Sequence, residues 1–182
     1  MVKSPTKRLT LEEFLSLPAG ETAYELMNGQ AIPKVSPKWF HSKSTSSLHL
    51  LLYAWSQKRG RLGIEWAVTL KRNRMDWVPI PDLLYVSNDR LSPNWQEDAP
   101  CPVPPDLAIE IISPDQTFGE IAEKATDYLA AEVLRVWVVD PRAKSITVFY
   151  PDAPPRTYTG NTLLIDQALP DLQLTAQQLF QQ

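Results

Sequence analysis

The sequence predicts an α/β protein in which a mixed β-sheet is flanked by helices and preceded by an N-terminal helix and a β-hairpin. Three observations carry this. Asp106-Leu-Ala-Ile-Glu-Ile-Ile112 puts Leu107, Ile109 and Ile111 on one face of a strand and Ala108, Glu110 and Ile112 on the other, so both faces are apolar and the strand reads as central and covered on both sides. An amphipathic helix over residues 117–131 and a second apolar run, Leu134-Arg-Val-Trp-Val-Val-Asp140, follow it, and strand, helix, strand is the order of a right-handed crossover. Upstream, Asn28-Gly29 separates two short apolar segments, and both positions of a two-residue hairpin turn need positive φ.

Taken in order, residues 1–8 combine charge and proline without periodicity and read as a flexible tail, which leaves 9–182 as a single domain. Thr10-Leu-Glu-Glu13 has the pattern of a capping box and opens a short helix with Leu11, Phe14 and Leu15 apolar, stopped by Pro18. The hairpin strands follow at 23–27 and 30–35. A helix from about Lys38 to Arg59 carries Leu48, Leu51, Leu52 and Trp55 at helical spacing, closes at Gly60 and holds both His41 and His49. Residues 63–70 alternate with Ile64, Trp66, Val68 and Leu70 on the core side, and Lys71-Arg-Asn-Arg74 makes a basic turn into a strand over 78–86. Residues 87–105 hold five prolines and few apolar residues, so they read as a loop free to move. Beyond the 134–140 strand, Ser145–Tyr150 and Leu163–Ile165 add edge strands around a Pro-rich turn, and Ala176–Phe180 forms a terminal helix.

Composition narrows the class. A net charge of −3 and a pI near 5.4 speak against a protein that coats nucleic acid through a bulk positive field, so any such contact has to come from a local basic patch. The lone Cys101 cannot form an internal disulfide, no apolar run reaches the roughly 18 residues of a membrane span, and the N-terminus lacks the apolar stretch of a signal peptide. These features read as a cytoplasmic protein with no membrane association. There is no nucleotide-binding loop, dinucleotide fingerprint or Gly-x-Ser-x-Gly elbow, and His49 and Cys101 lack zinc-ligand spacing. No organic cofactor is indicated.

The chemistry concentrates on two acids and a lysine. Glu110 lies mid-strand among apolar residues, where an isolated carboxylate is costly, so it has to be neutralised, paired with a cation or ligated to a metal. Asp82 heads another strand, a position where Asp is depleted, although alone after Pro81 it is more easily read as capping a turn. On the following helix Phe118, Ile121, Ala125, Tyr128 and Leu129 form one apolar arc with Lys124 at its edge, placed to snorkel toward Glu110. Two carboxylates on adjacent strand ends can hold Mg²⁺ or Mn²⁺, and a lysine beside them can orient or deprotonate a water and stabilise charge on phosphorus. The plain alternative for Glu110 and Lys124 is a buried structural ion pair. Glu25 alone reads as an exposed cross-strand partner, and His41 as a surface or satisfied residue.

Leu9–Leu15, Tyr24-Glu-Leu-Met-Asn-Gly29, His41, Pro81-Asp82, Asp106–Pro114, Lys124 with Tyr128, and Val136-Trp-Val-Val-Asp-Pro141 together resemble the Uma family of restriction endonucleases within the PD-(D/E)XK nuclease superfamily. The likeness runs from about Leu9 to Phe180. It implies a restriction-endonuclease-like fold and a Mg²⁺-dependent DNA endonuclease that acts as a homodimer, since duplex cleavage needs two cuts. It also implies Asp82 and Glu110 as metal ligands, Lys124 as the catalytic lysine, and Glu25 and His41 as accessory residues. Two positions depart from the pattern. Ile112 stands where the superfamily's usual lysine would be, which requires that the lysine has migrated to Lys124, and Gln30 replaces a glutamate after the hairpin glycine, removing a charge near the expected site. The rival reading is a catalytically inactive module that keeps the fold to bind DNA or a protein partner.

Overall fold

A computed structural model describes residues 8–18, 20 and 22–181. Except for Arg8, the tail expected at 1–8 lies outside the described residues. In chain order the elements are α1 (Leu11–Leu15), β1 (Tyr24–Met27), β2 (Gln30–Pro33), α2 (Trp39–Ser56), β3 (Gly60–Ile64), β4 (Leu70–Arg72), β5 (Met75–Trp77), β6 (Leu83–Ser87) and β7 (Leu107–Ile111). Then come α3 (Phe118–Ala130), β8 (Arg135–Asp140), β9 (Ser145–Phe149), β10 (Arg156–Thr159), β11 (Leu163–Ile165), β12 (Gln173–Thr175) and α4 (Ala176–Phe180).

Six strands form the main sheet in the order β10-β9-β8-β7-β6-β3. Only β7 and β8 run parallel, joined through α3, and the other neighbours are antiparallel. The apolar alternation of β7 is resolved as expected. Leu107, Ile109 and Ile111 pack with Leu48 and Leu52 of α2 and with the C-terminal Ala176 and Leu179, while Ala108 packs on the opposite side with Ile121, Ala125 and Tyr128 of α3. Because Glu110 alternates onto the Ala108 side, it is carried into the α3 layer and buried there at 5% exposure. Among the described residues no helix is long and apolar enough to cross a membrane.

The local signals at the chain's start hold. Thr10 and Glu13 make the reciprocal capping box of α1, and the β1–β2 turn has φ 54° at Asn28 and 77° at Gly29. A second capping box, Thr117 with Glu120, opens α3, which the sequence reading passed over.

Several expected boundaries move. α2 ends at Ser56, the chain turns through Lys58 at φ 66°, and Gly60 begins β3 instead of closing the helix. Its lack of a side chain serves a close approach, since a Cβ there would lie 2.1 Å from the Val86 carbonyl oxygen. The strand expected at 63–70 does not exist as one element: Glu65 at φ 48° breaks it, and Ile64 is 48% exposed, not inward. Val68 and Leu70 are buried as expected, Val68 by bridging to Cys101. The strand expected at 78–86 is likewise shorter, because Pro79 and Pro81 cannot donate to a ladder and pairing in β6 resumes at Leu83. The 87–105 loop is anchored at both ends, by Arg61 donating to the carbonyls of Ser92, Pro93 and Trp95 and by Cys101 hydrogen-bonding with Ala67 and Thr69. Leu163–Ile165 pairs with β12 in a separate ribbon, and the sheet edge is β10, whose Thr157 and Thr159 carry no apolar signal.

Gly60→Ala is expected to destabilise the fold by about 3 kcal/mol, because the added methyl meets rigid backbone on β6. Gly119→Ala, inside α3 with no atom closer than 3.9 Å, is expected to stabilise it by about 0.5 kcal/mol. Urea unfolding of the two variants checks both signs.

Candidate active site

The site forms where the hairpin, the entry to β6, the end of β7, α2 and α3 meet. The β6–β7 register pairs Leu83 with Ile109, and continuing it sets Asp82 opposite Glu110. The Asp82 amide donates to the Ile109 carbonyl at 3.0 Å, which holds this residue against β7 although it precedes the strand. The two acids and Glu25, Lys34, His41 and Lys124 line one cleft of about 340 Å³.

All five residues singled out from the sequence are brought together. Glu110 Oε1 accepts from Tyr128 Oη at 2.8 Å and faces Lys124 Nζ at 2.9 Å. Lys124 and Tyr128 are four apart on α3, so they lie on one stripe of the helix and reach the same oxygen. Lys124 Nζ also donates to Glu25 Oε1 at 3.0 Å, and that oxygen accepts from the Ile80 amide at 2.8 Å. Glu25 therefore links β1 to the residues before β6 and orients the lysine. His41, in the first turn of α2 and 7% exposed, places Nε2 3.0 Å from Asp82 Oδ2, which also accepts from the Ile111 amide at 2.7 Å.

Lys34 was not singled out from the sequence, yet it completes the cluster. Its Nζ donates to Asp82 Oδ1 and to the Ile80 carbonyl, both at 2.9 Å, and stands 3.5 Å from Glu65 Oε1. The signal lay in the alternation of the hairpin: Glu25 pairs with Ile32, and Lys34, two residues on, continues the same face. The departure at Gln30 loses its force here, because Gln30 is exposed at the turn end of β2 and does not line the cleft. Ile112 takes no part in the cluster, and its amide donates to Val139 on β8.

Burial by itself raises the Asp82 carboxyl, but the His41 hydrogen bond, Lys34 and the Ile111 amide together outweigh it and bring the pKa down to about 2. With Asp82 ionised, His41 donates through Nε2–H, and its Nδ1 is buried without a partner. Burial pushes Glu110 above the usual carboxylate range against the pull of Lys124, with Asp82 and Glu25 adding repulsion. Burial disfavours the Lys124 ammonium, yet Glu110 and Glu25 raise it above its ordinary value, so it stays charged. Tyr128 is held well above its ordinary range by burial and by Glu110, and remains a donor.

The two acids supply only hard oxygen donors, the type Mg²⁺ and Mn²⁺ take. Among the described residues no group of three or more His, Cys, Asp or Glu side chains gathers to hold a metal, so a cation here would draw on Asp82 and Glu110 and complete its shell with water or substrate. The orphaned Nδ1 of His41 fits a site that takes a further polar occupant.

The six-strand mixed sheet between helices, with paired acids where its central strands β6 and β7 meet and a lysine facing them from α3, defines the restriction-endonuclease-like class of α/β protein. The model of the Uma2 family, described as "putative restriction endonuclease", matches residues 11–177. The chain belongs to that family. In structure it is similar to the crystal structure of an Anabaena variabilis protein described as "a putative nuclease belonging to DUF820", with a TM-score of 0.82 and 26% sequence identity over 95% of this chain and 98% of that one. No curated protein matches the sequence.

Asp82 gives a pH dependence of defined sign. Its folded pKa lies below the ordinary 3.8, so its stabilising contribution is complete above that value and is lost as pH falls toward about 2. Glu110, raised in the fold, works in the opposite direction and gains stability on protonation. Between pH 5 and pH 2 the wild-type protein is expected to lose on the order of 2 kcal/mol more than Asp82→Asn. Urea unfolding across that range measures it, and parallel curves for the two proteins would contradict the assignment.

Proposed function

We propose that this chain is a Mg²⁺-dependent endonuclease that hydrolyses phosphodiester bonds in DNA. The observation that carries this is the placement of Lys124, which leaves α3 to meet Glu110 and Glu25 inside the cleft that also holds Asp82. Family membership and the Anabaena neighbour support a nuclease. Asp82 and Glu110 would hold the divalent cation, which when bound supplies Lewis-acid stabilisation of the charge on the phosphate.

The chain's own residues do the rest. Lys124, kept protonated by two carboxylates, acts as a hydrogen-bond donor that orients the attacking water and neutralises charge developing on phosphorus. Its raised pKa argues against the general-base role that sequence reasoning left open. Glu25 positions Lys124, Tyr128 holds the Glu110 carboxylate in one rotamer, and His41 holds Asp82. Water attack and loss of the leaving alkoxide, which takes up a proton, complete the hydrolysis. Cutting both strands of a duplex fits a homodimer, which sedimentation with and without DNA would show.

The basic turn contributes less than its sequence suggests. Lys71 pairs with Asp76 at 2.6 Å and Arg72 with Asp127 at 2.6 Å, so both cations are engaged within the protein. Arg74, exposed at the turn, is the better phosphate contact.

Asp82→Ala, Glu110→Ala and Lys124→Ala are each expected to abolish Mg²⁺-dependent cleavage of plasmid DNA, with double variants losing little more, since residues acting as a unit are non-additive. Full cleavage by Glu110→Ala would overturn the assignment. The acids are not expected to be silent in stability: Glu110→Ala leaves Lys124 with Glu25 alone, and Asp82→Ala leaves Lys34 with Glu65 and the Ile80 carbonyl, so each is expected to destabilise the fold, by less than the about 3 kcal/mol of breaking a fully buried pair. In a Glu110→Ala background that prevents cutting, Arg74→Ala is expected to reduce the slope of log K against log salt for DNA binding by about 0.9. Unchanged slopes would remove the turn from the interface.

A further inference from the structure

Lys34 has no role in the hydrolysis described above, yet its ammonium bonds directly to one of the two acids. Its ammonium sits on Asp82 Oδ1 at 2.9 Å, while His41 and the Ile111 amide occupy Oδ2. Every oxygen of Asp82 is thus engaged. Oδ2 has two donors and Oδ1 only Lys34, so a divalent cation that ligates Asp82 has its opening at Oδ1, where the ammonium repels it and the two cations compete. The Ile111 amide belongs to β7 and His41 is enclosed in α2, whereas Lys34 follows the last residue of β2, on a flexible stem, with its side chain 18% exposed on the cleft. It is the partner free to leave.

Charge makes the exchange favourable only in stages. Glu25, Glu65, Asp82 and Glu110 face Lys34 and Lys124, four carboxylates against two ammoniums, so the cluster carries two net negative charges when all are ionised. A divalent cation cancels this charge, and the cleft then no longer repels a phosphodiester. Glu65, 3.5 Å from Lys34 Nζ and 46% exposed, offers the displaced ammonium a resting place on the rim.

We propose that Lys34 is a tethered competitor of the metal: it holds Asp82 in the free protein, keeps divalent-cation affinity low there, and on displacement turns its ammonium to the incoming phosphodiester. Lys34 is a positioning residue for Asp82 in the first state and a phosphate contact in the second. This rests on the nuclease reading for its second half, while the competition stands on the geometry of Asp82 alone.

The test is Mn²⁺ binding to DNA-free protein, followed by the electron paramagnetic resonance signal of the unbound ion, for wild type, Lys34→Met and Lys34→Arg. Lys34→Met is expected to bind Mn²⁺ at least about tenfold more tightly, because a unit charge a few ångströms from the ligand oxygen is removed, whereas Lys34→Arg keeps the charge and the weak affinity. At saturating Mn²⁺, Lys34→Met is expected to show a raised KM for DNA. Equal affinity in wild type and Lys34→Met overturns the competition. No binding by any of the three overturns it and the metal reading together, and tighter binding by Lys34→Met in a protein that cuts no DNA keeps the competition while removing the nuclease. Should Lys34→Met fail to fold, lysine acylation of wild-type protein followed by mass spectrometry decides: Lys34 is expected to gain reactivity when Mn²⁺ is added, and unchanged reactivity counts against displacement.

Discussion

A carboxylate in the middle of a strand covered on both faces is the constraint from which the rest of this structure follows. Glu110 cannot be left alone in an apolar layer, and α3 answers with Tyr128 and Lys124 on one stripe, both bound to the same oxygen. Lys124 then needs a second acid, because Glu110 is itself made reluctant to ionise by burial. Glu25 supplies it from the hairpin. Glu25 joins the Leu26–Val78 bridge and its apolar cluster in holding β1 and β2 against the entry to β6, where the Ile80 amide and carbonyl are bound by Glu25 and Lys34 respectively. One buried charge therefore ties together elements that are distant in sequence.

Such a cluster is poor evidence of stability in its own right. Buried ion pairs break even at best against apolar packing of the same volume, and here five charged groups share one cleft. A protein selected for stability alone would gain from apolar side chains at these positions. Their convergence on a cleft open to solvent, with a buried histidine nitrogen left without a partner, is instead what an active centre needs: preorganised charges whose balance is completed by what binds there.

The two acids are held in different electrostatic states. Asp82, with three donors, is ionised under all ordinary conditions, while Glu110 sits higher because burial dominates its surroundings. Environments that push two neighbouring carboxyls apart fit them for different tasks: in the proposed nuclease, Asp82 would be the permanent anion that attracts the cation, and Glu110 the acid whose affinity for it depends on the charge of Lys124.

Much of this was legible in the chain itself. Strand periodicity in β7 is local, so burial of Glu110 and the sandwiching of its strand followed from alternation, and the capping box at Thr10 and the Asn28-Gly29 turn followed from backbone chemistry that acts within four residues. The helical wheel of α3 put Lys124 at the rim of its apolar arc without knowledge of the sheet. What needed the tertiary structure was everything that depends on which segments meet. Gly60 reads as a helix stop until β6 is laid against it, and the chain leaves the sheet at Glu65, at φ 48°, just after its amide bonds to Asp82 across the sheet. The pairing of Lys34 with Asp82 spans 48 residues, and the engagement of Arg72 by Asp127 spans 55. Periodicity determines which face a side chain takes, but only the packing of elements decides which charge it finds there, because an ion pair between distant segments leaves no spacing in the sequence to be read.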